Sequence, residues 1–373
     1  MASPRPPPEL MADPVIEILL RLPPGDPACL IRASLVCKAW LRLISDGTFL
    51  RRYRAFHRAP PLLAFLANTY GSEDRLIPFT SPTPFKPPAF VYSGRPEVMD
   101  WRHGRALLFD MWADSEGVLS VWDPMTRHRQ VLPKPDFSYI NGAVVLCASA
   151  SAGCDHLDCH GGPFLVVCLS RSSMGGGATA TAARVYSSDA GSWGAQTSVQ
   201  LGPDSISEMN SPVVIGDEVY FALNLTSRIL KYSLGKDDLS LIGPPDQDGH
   251  SKFVLMRTED GSLGLAAVRD PHLYLWSRKV NPEGVAGWVN CRVINLRTLF
   301  SIYNHKTTTV IGFAEGVEII FVSTFMGLFA VELKSGKVKK VAGPDYYLSV
   351  LPIMSFYTPD WGRCNHRRGL ADL

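Results

Sequence analysis

The sequence predicts a small helical module followed by a large all-β domain. Residues 10–57 carry apolar side chains at helical spacing, and beyond residue 89 short β-rich runs separated by Gly and Asp turns replace that spacing. With 373 residues, of which 46% are hydrophobic, the chain can bury more than one core. The predicted division is a disordered Pro-rich leader at 1–9, the helical module at 10–57, a Pro-rich junction with one strand at 58–88, the β-domain at 89–358 and a tail at 359–373.

Three helical stretches are predicted in the module, at residues 13–23, 28–44 and 48–56. Asp13 is the predicted N-cap of the first stretch, which ends at a Pro-Pro-Gly sequence. The apolar crowding around Ser34 indicates two short helices meeting there. A module this small, without metal or disulfide, rarely folds alone. Its leftover apolar face therefore docks either on another chain or, as an ordinary helical cap, on its own β-domain.

The module carries three short motifs, ILLRLP at 18–23, SLVCKAW at 34–40 and LISD at 43–46. In their order and spacing these motifs resemble the F-box in its plant form. Met11 and Pro14 depart from its pattern, which has Pro and Leu there. The resemblance implies a subunit of a Skp–cullin–F-box ubiquitin ligase, with a Skp-type adaptor and, through it, a cullin as partners. The implied adaptor-binding residues are Leu10, Val15, Ile18, Leu22, Pro23, Leu35, Val36, Cys37, Trp40 and Ile44.

The β-domain repeats a hairpin pattern five times. The intervals between its equivalent positions are near the roughly 45-residue period of a four-stranded propeller blade. A sixth blade is expected from both ends of the domain, where residues 62–66 and 90–92 would pair with 347–357 and so cover exposed strand edges. The prediction is a six-bladed β-propeller, with an open array resembling a β-sandwich as the alternative. The five equivalent positions are Trp122, Tyr186, Tyr232, Trp276 and Val331.

Four short motifs resemble the F-box-associated propeller of large plant families: VWDP at 121–124, DHLD at 155–158, RVYSS at 184–188 and IMSFY at 353–357. The resemblance implies a substrate receptor whose propeller holds an unknown target protein. In a four-stranded blade, the loop between the second and third strands shares one face of the ring with the loop entering the next blade. On that basis the predicted target-binding residues are Trp112, Tyr139, Asn224, Arg269, His272, Tyr303, His305, Phe325 and Met326.

Catalytic and metal-binding motifs are not found in the sequence. Neither a zinc-protease helix motif nor a nucleophile-elbow motif occurs, and the three glycines at 175–177 lack the partners of a phosphate-binding loop. The run from Cys154 to His160 holds four potential zinc ligands, two Cys and two His, but they crowd too closely for tetrahedral coordination and indicate a turn instead. We expect no cofactor, no metal and a non-catalytic receptor. The rivals are a propeller enzyme, a ligand- or sugar-binding propeller, and an adaptor-bound scaffold without a ligase role.

The charge and hydropathy of the sequence indicate which kinds of partner and which cellular compartment to expect. The 37 basic and 35 acidic residues leave a net charge of +2, which gives no electrostatic footprint for nucleic acid. No apolar run reaches the roughly 20 residues that a spanning helix needs, so we expect no membrane partner. The leader lacks the apolar segment of a signal peptide, which predicts reduced cysteines and a location in the cytosol, the nucleus or both.

Overall fold

The computed structural model describes residues 12–69, 76–79, 96–110, 117–123, 128–135, 140–149, 162–173, 179–202, 211–223, 228–245, 252–269, 271–300 and 308–356. It begins with four helices, α1 (Ala12–Leu20), α2 (Pro27–Ser34), α3 (Lys38–Ile44) and α4 (Gly47–His57). None of the helices in these ranges is long and apolar enough to cross a bilayer.

The helix boundaries follow from local chemistry. Helix α2 ends at Ser34 and α3 begins at Lys38, which confirms the predicted break. Asp26 caps α2 by accepting from the N–H of Ala28 at 3.1 Å, and Asp46 caps α4 by accepting from Thr48 at 2.7 Å. The backbone N–H groups of Thr48 and Phe49, which donate to the Asp46 carboxylate, hold its pKa below the usual value. The predicted cap of α1 is wrong: the helix begins at Ala12, so Asp13 lies in its first turn, where a carboxylate still favours the positive end of the dipole.

The helical module has its own apolar core. Tyr53 is only 1% exposed, and its hydroxyl donates to the carbonyl oxygen of Leu22 at 2.8 Å. Burial raises the pKa of that hydroxyl. On the next turn of α4, Nε2 of His57 lies 2.9 Å from the carbonyl oxygen of Leu20. The buried members are Val15, Leu19, Leu20, Leu30, Ala33, Ile44, Phe49, Tyr53 and, from the far end of the chain, Phe356.

After the helices come β1 (Leu62–Thr69) and β2 (Leu76–Pro78), and then five antiparallel sheets, each built from consecutive strands. Blade 1 contains β3 (Glu97–Arg102), β4 (Arg105–Asp110), β5 (Val118–Trp122) and β6 (Arg129–Val131). Blade 2 contains β7 (Ile140–Cys147), β8 (Phe164–Ser173), β9 (Thr179–Ser187), β10 (Ser192–Trp193) and β11 (Thr197–Gly202). Blade 3 contains β12 (Val213–Ile215), β13 (Glu218–Leu223), β14 (Arg228–Ser233) and β15 (Asp238–Ile242).

The last two blades and the final strand complete the domain. Blade 4 contains β16 (Phe253–Arg257), β17 (Leu263–Arg269), β18 (His272–Val280) and β19 (Ala286–Asn295), followed by the short helix α5 (Leu296–Leu299). Blade 5 contains β20 (Thr309–Ala314), β21 (Ile319–Thr324), β22 (Gly327–Glu332) and β23 (Val338–Ala342). The final strand is β24 (Tyr347–Met354).

A three-stranded sheet in the order β2-β1-β24 closes the ring. Strand β24 pairs antiparallel with β1 and contacts β20 and β3, the first strands of the two neighbouring blades. The expected pairing of residues 62–66 with 347–357 is therefore confirmed, whereas residues 90–92 lie outside the described residues. The large all-β domain is a propeller. Its described residues form five blades of four or more strands rather than six, because the closing sheet has three.

Apolar side chains fill every interface between neighbouring sheets in the described residues. Strand β1 is buried along its whole length, since the closing sheet is covered on both sides. At one polar point of this interface, Asn68 reaches from β1 to β3. Its side-chain amide donates to the carbonyl oxygen of Val98 at 2.8 Å and to Oγ of Ser349 at 2.9 Å, and its Oδ1 accepts from the N–H of Val98 at 3.2 Å. The Asn68 side chain thus bonds both backbone groups of Val98, as a neighbouring strand would, and links the closing sheet to blade 1.

Two tryptophans on outer strands tie neighbouring blades together. Nε1 of Trp193, in blade 2, donates to the carbonyl oxygen of Pro133, just beyond blade 1, at 2.7 Å. Nε1 of Trp288, in blade 4, donates in the same way to Gly243, just beyond blade 3, at 2.8 Å. Both acceptors follow the outer strand of the preceding blade, so the two bonds are equivalent latches between blades.

Replacing Trp288 with Phe is expected to lower the free energy of unfolding by about 1 kcal/mol, because the latch bond is lost while most of the ring contact remains. Chemical denaturation of the two proteins measures the difference. Replacing Trp193 with Phe is the matched change at the equivalent latch and should have a similar cost. Unchanged stability in both variants would show that the latches are dispensable.

Candidate functional site

The two faces of the ring differ in the connections that they carry. We call the turn face the one with the connections from first to second strands, such as His103–Gly104 in blade 1 and Glu315–Glu318 in blade 5. The loop face is the opposite one, with the connections from second to third strands, such as Phe325–Met326 in blade 5. Because first strands of a propeller run in the same direction, equivalent connections share a face.

The helical module lies on the turn face. In the closing sheet, Leu62 pairs with Met354, at the place where a first-to-second connection occurs in the other blades. Close by, the N–H of Ser355 donates to the carbonyl oxygen of Pro61 at 3.3 Å. A Cβ added to Gly316, in the blade 5 turn, would lie 3.6 Å from Cβ of Ala59, immediately after α4. The module is thus anchored on its own propeller and still presents an exposed surface.

Three large apolar side chains of the predicted adaptor-binding set are exposed: Ile18 at 55%, Leu35 at 71% and Val36 at 64%. Leu35 and Val36 form the turn between α2 and α3, and their N–H groups donate to the carbonyl oxygens of Arg32 and Ala33. Pro23 and Cys37 are exposed as well. An apolar turn held rigidly in solvent costs free energy unless another surface covers it.

Other members of that set are placed differently. Val15 and Ile44, which the resemblance assigns to adaptor contact, are 4% and 0% exposed and belong to the module core, so direct contact is corrected to internal packing. Leu22 and Trp40 are half-buried at the edge of the same core. Leu10 lies outside the described residues.

On the loop face, Phe325 and Met326 form the tip of the hairpin between β21 and β22 and are 41% and 37% exposed. The tip is held by Thr324, whose hydroxyl donates to the carbonyl oxygen of Gly327 and accepts from the N–H of Met326, both at 3.1 Å. Gly327 has a φ of 127°, and a Cβ there would lie 2.4 Å from the carbonyl oxygen of Ala342. Only glycine fits this position, so the two apolar side chains are presented on a fixed turn.

Tyr346, which sequence reasoning did not include, adds a third exposed side chain at 61%. It follows Gly343, whose carbonyl carbon would lie 2.9 Å from a Cβ on Gly327, so the segment leading to Tyr346 packs against the hairpin tip. A tyrosine just before the final strand gives no periodic signal in the sequence. We call Phe325, Met326 and Tyr346 the aromatic tip.

The remaining predicted target-binding residues fall in two groups. Arg269 and His272 face each other across the connection between β17 and β18, on the loop face. The guanidinium of Arg269 lies 5.5 Å from the ring of Trp276, and His272 contacts Tyr274, so both are half-buried against blade 4. The other predicted residues lie outside the described residues: Trp112, Tyr139, Asn224, Tyr303 and His305.

A metal site does not emerge from the described part of the chain, where no three His, Cys, Asp or Glu side chains are grouped to hold an ion. The run from Cys154 to His160 lies outside it.

Comparison with protein families decides the identity. A profile of the F-box domain matches residues 10–52, and a profile described as F-box protein AT5G49610-like, beta-propeller, matches residues 97–361. The chain belongs to this family of F-box proteins. The two matches divide the F-box protein as the structure does, into a helical module and a propeller, and a family of this type is typically a non-catalytic receptor.

No curated protein matches the sequence of this F-box protein. Among solved structures, a nidogen/laminin complex matches with a TM-score of 0.43 and 11% identity, covering 78% of this chain and 98% of that one. A periplasmic gluconolactonase of Pseudomonas aeruginosa matches with a TM-score of 0.40 and 14% identity, covering 80% and 100%. TolB of Acinetobacter baumannii matches with a TM-score of 0.39 and 13% identity, covering 80% and 69%. At these TM-scores the likeness supports no conclusion about the F-box protein.

Proposed function

We propose that this F-box protein is the substrate-recognition subunit of a Skp–cullin–F-box ubiquitin ligase. Its helical module binds a Skp-type adaptor and through it a cullin, and its propeller binds a target protein. The chain itself performs no chemistry. It raises the local concentration of target lysines near a ubiquitin-charged enzyme recruited elsewhere on the complex. The proposal includes the cytosol, the nucleus or both as the location, and a plant origin, on the resemblance of residues 18–46 to the plant F-box.

The observation that carries the adaptor half is the exposed turn of Leu35 and Val36 on a module whose other large apolar residues are mostly packed. The exposed turn lies inside the F-box match, at residues that the resemblance to the plant F-box implies for adaptor contact. Central apolar anchors of this kind supply most of the binding free energy at protein interfaces. Ile18, Pro23 and Cys37 of the same predicted set are also exposed, and Leu22 and Trp40 are half-buried against the module core.

The proposal that the propeller binds a target is supported by the separation of the adaptor-binding surface from the aromatic tip. The module is anchored on the turn face, whereas the aromatic tip lies on the loop face. A target held by the aromatic tip therefore leaves the adaptor surface free, so both partners can be bound at once. Phe, Met and Tyr are residue types enriched in interface cores, and loops on such a scaffold carry function at little cost to the core.

Reconstitution with purified components tests the adaptor half. The full-length protein, mixed with a Skp-type adaptor and a cullin, is expected to elute with both in gel filtration, and to elute without the cullin when the adaptor is left out. Elution of the protein alone in the presence of both would overturn the assignment. Formation of an adaptor complex that never recruits a cullin would identify a scaffold without a ligase role.

Replacing both Phe325 and Met326 with Ala is expected to weaken target capture at least about tenfold without lowering stability, because each side chain is exposed and interface anchors of these types contribute about 1–2 kcal/mol or more. Candidate targets are first collected by affinity capture with a form that cannot bind the adaptor and so retains them. Quantitative mass spectrometry then compares capture by the double variant.

The control is Val131→Ala, which changes an exposed apolar residue on the outer strand β6 of blade 1, in a different blade from the hairpin that carries Phe325 and Met326. It should capture the same proteins as the parent. If capture survives every change at the aromatic tip and fails after Lys334→Ala, on the turn face, then the target surface has been assigned to the wrong side of the ring.

A further inference from the structure

We infer that Phe356 couples closure of the propeller ring to the shape of the adaptor-binding module, so that the module becomes competent only when the final strand is in place. The inference rests on the proposed function for the identity of the partner. The coupling itself is a property of this chain and can be measured without the partner.

Phe356 occupies an unusual position between the two parts of the molecule. It lies two residues beyond the end of β24 and is 2% exposed. Its ring contacts that of Tyr53 edge-on, with centroids 6.2 Å apart. It is counted in the core of the helical module, where the other buried members come from α1 to α4. The module therefore completes its core with a side chain supplied by the opposite end of the chain.

Tyr53 transmits this contact to the adaptor-facing segment. Its ring packs against Phe49 at 6.0 Å and His57 at 4.5 Å, so a loss of Phe356 loosens one side of the aromatic column on α4. The Tyr53 hydroxyl donates to the carbonyl oxygen of Leu22 at 2.8 Å. Leu22 precedes exposed Pro23 and closes the turn that follows α1. Phe356 is in this sense a positioning residue, which acts on the adaptor surface through Tyr53.

The same segment is tied to the ring. Leu62 pairs with Met354, and the N–H of Ser355 donates to the carbonyl oxygen of Pro61. Phe356 can fill the module core only while β24 is paired with β1, because the two residue steps from Met354 to Phe356, even fully extended, span only about 7 Å. Any opening of the ring at β24 therefore withdraws Phe356 from the module.

A small helical module with an incomplete core is marginally stable. When the competent form is only a fraction of the population, the apparent affinity falls by that fraction. Linkage makes the effect reciprocal: if ring closure favours adaptor binding, then adaptor binding favours ring closure by the same factor. Adaptor binding should thus slow hydrogen exchange in β24, although the adaptor binds the helical module and not this strand.

The test is hydrogen exchange on the full-length protein with and without a purified Skp-type adaptor. In the parent, adaptor binding is expected to slow exchange of the β24 amides, Tyr347–Met354, at least about tenfold. In Phe356→Ala, adaptor affinity should fall at least about tenfold, and saturating adaptor should no longer slow exchange in β24. Phe356→Leu, which keeps apolar volume, should restore most of both effects.

Phe300→Ala is the matched control, since Phe300 is a buried aromatic residue between blades 4 and 5. It should destabilise the propeller without changing adaptor affinity. Equal adaptor affinity in Phe356→Ala and the parent, or protection of β24 that persists in Phe356→Ala, would overturn the coupling.

The outcome also separates this inference from the proposed function. If the parent binds no Skp-type adaptor, the proposed function fails, and the coupling is then tested within the chain alone. Phe356→Ala should speed exchange in α1 and α4 more than in blades 2 and 3, and unchanged exchange in both helices would overturn it.

Discussion

Replacing Val36 with Asp is expected to lower affinity for a Skp-type adaptor by roughly 100-fold or more. Val36 is 64% exposed and adjoins the still more exposed Leu35, so the new carboxylate stays hydrated in the free protein and disturbs no internal packing. In the complex it would be buried without a partner, at a cost of several kcal/mol, where each 1.4 kcal/mol corresponds to tenfold in affinity. Titration calorimetry with purified adaptor measures the change.

The matched control is Val280→Asp. Val280 is 69% exposed at the end of β18 in blade 4, so the chemical change is the same and lies outside the F-box match at residues 10–52. It should leave adaptor affinity unchanged, and both variants should unfold at the same denaturant concentration as the parent. If Val36→Asp binds the adaptor as tightly as Val280→Asp does, the exposed turn between α2 and α3 is not the adaptor surface.

The largest effect on stability is expected at the joint where the ring closes. Asn68→Leu keeps the approximate volume of the side chain but removes both bonds to Val98 and the bond to Ser349. The N–H and carbonyl oxygen of Val98 are then left buried without these partners, at about 1–3 kcal/mol each, which predicts a loss of roughly 2–6 kcal/mol. Chemical denaturation should show this as a lower midpoint.

Asn290→Leu makes the same change on the exposed strand β19 and should alter stability by less than about 0.5 kcal/mol. A stronger sign of the specific defect would be faster hydrogen exchange in β1 and β24 than in blades 2 to 4. If Asn68→Leu unfolds at the same midpoint as Asn290→Leu, the amide contacts across the joint contribute nothing to closure.

The parts of the fold that the sequence predicted are those set by local patterns. The break at Ser34 and the hairpins of blades 1 to 5 follow from helical spacing, from alternation and from Gly turns. The pairing of β1 with β24 was also foreseen, because an uncovered edge strand has to be closed. Strand β2 was missed, since three residues within a Pro-rich junction carry no usable period.

The candidate sites show where local patterns stop being informative. Helical spacing places Ile44 and Val36 alike in an apolar set, but it does not tell which side faces the core, and only the packed structure separates 0% from 64% exposure. Contacts between segments far apart in the chain leave no local signal. The amide bridge from Asn68 to Val98, the latch from Trp288 to Gly243 and the contact of Phe356 with Tyr53 are all of this kind.

Strand β1 has a consequence for biosynthesis. Its eight residues, Leu62–Thr69, are all buried in the finished ring, and its main partner β24 is the last of the strands in the described residues. At about 5–20 residues per second, a ribosome takes roughly 15–60 s to reach β24 after completing β1. During that time an apolar strand remains without the neighbour that covers it, which is the condition that favours aggregation and chaperone engagement. Yield in the cell should therefore depend on how long the nascent chain is protected, and slower translation of the blades would lower it.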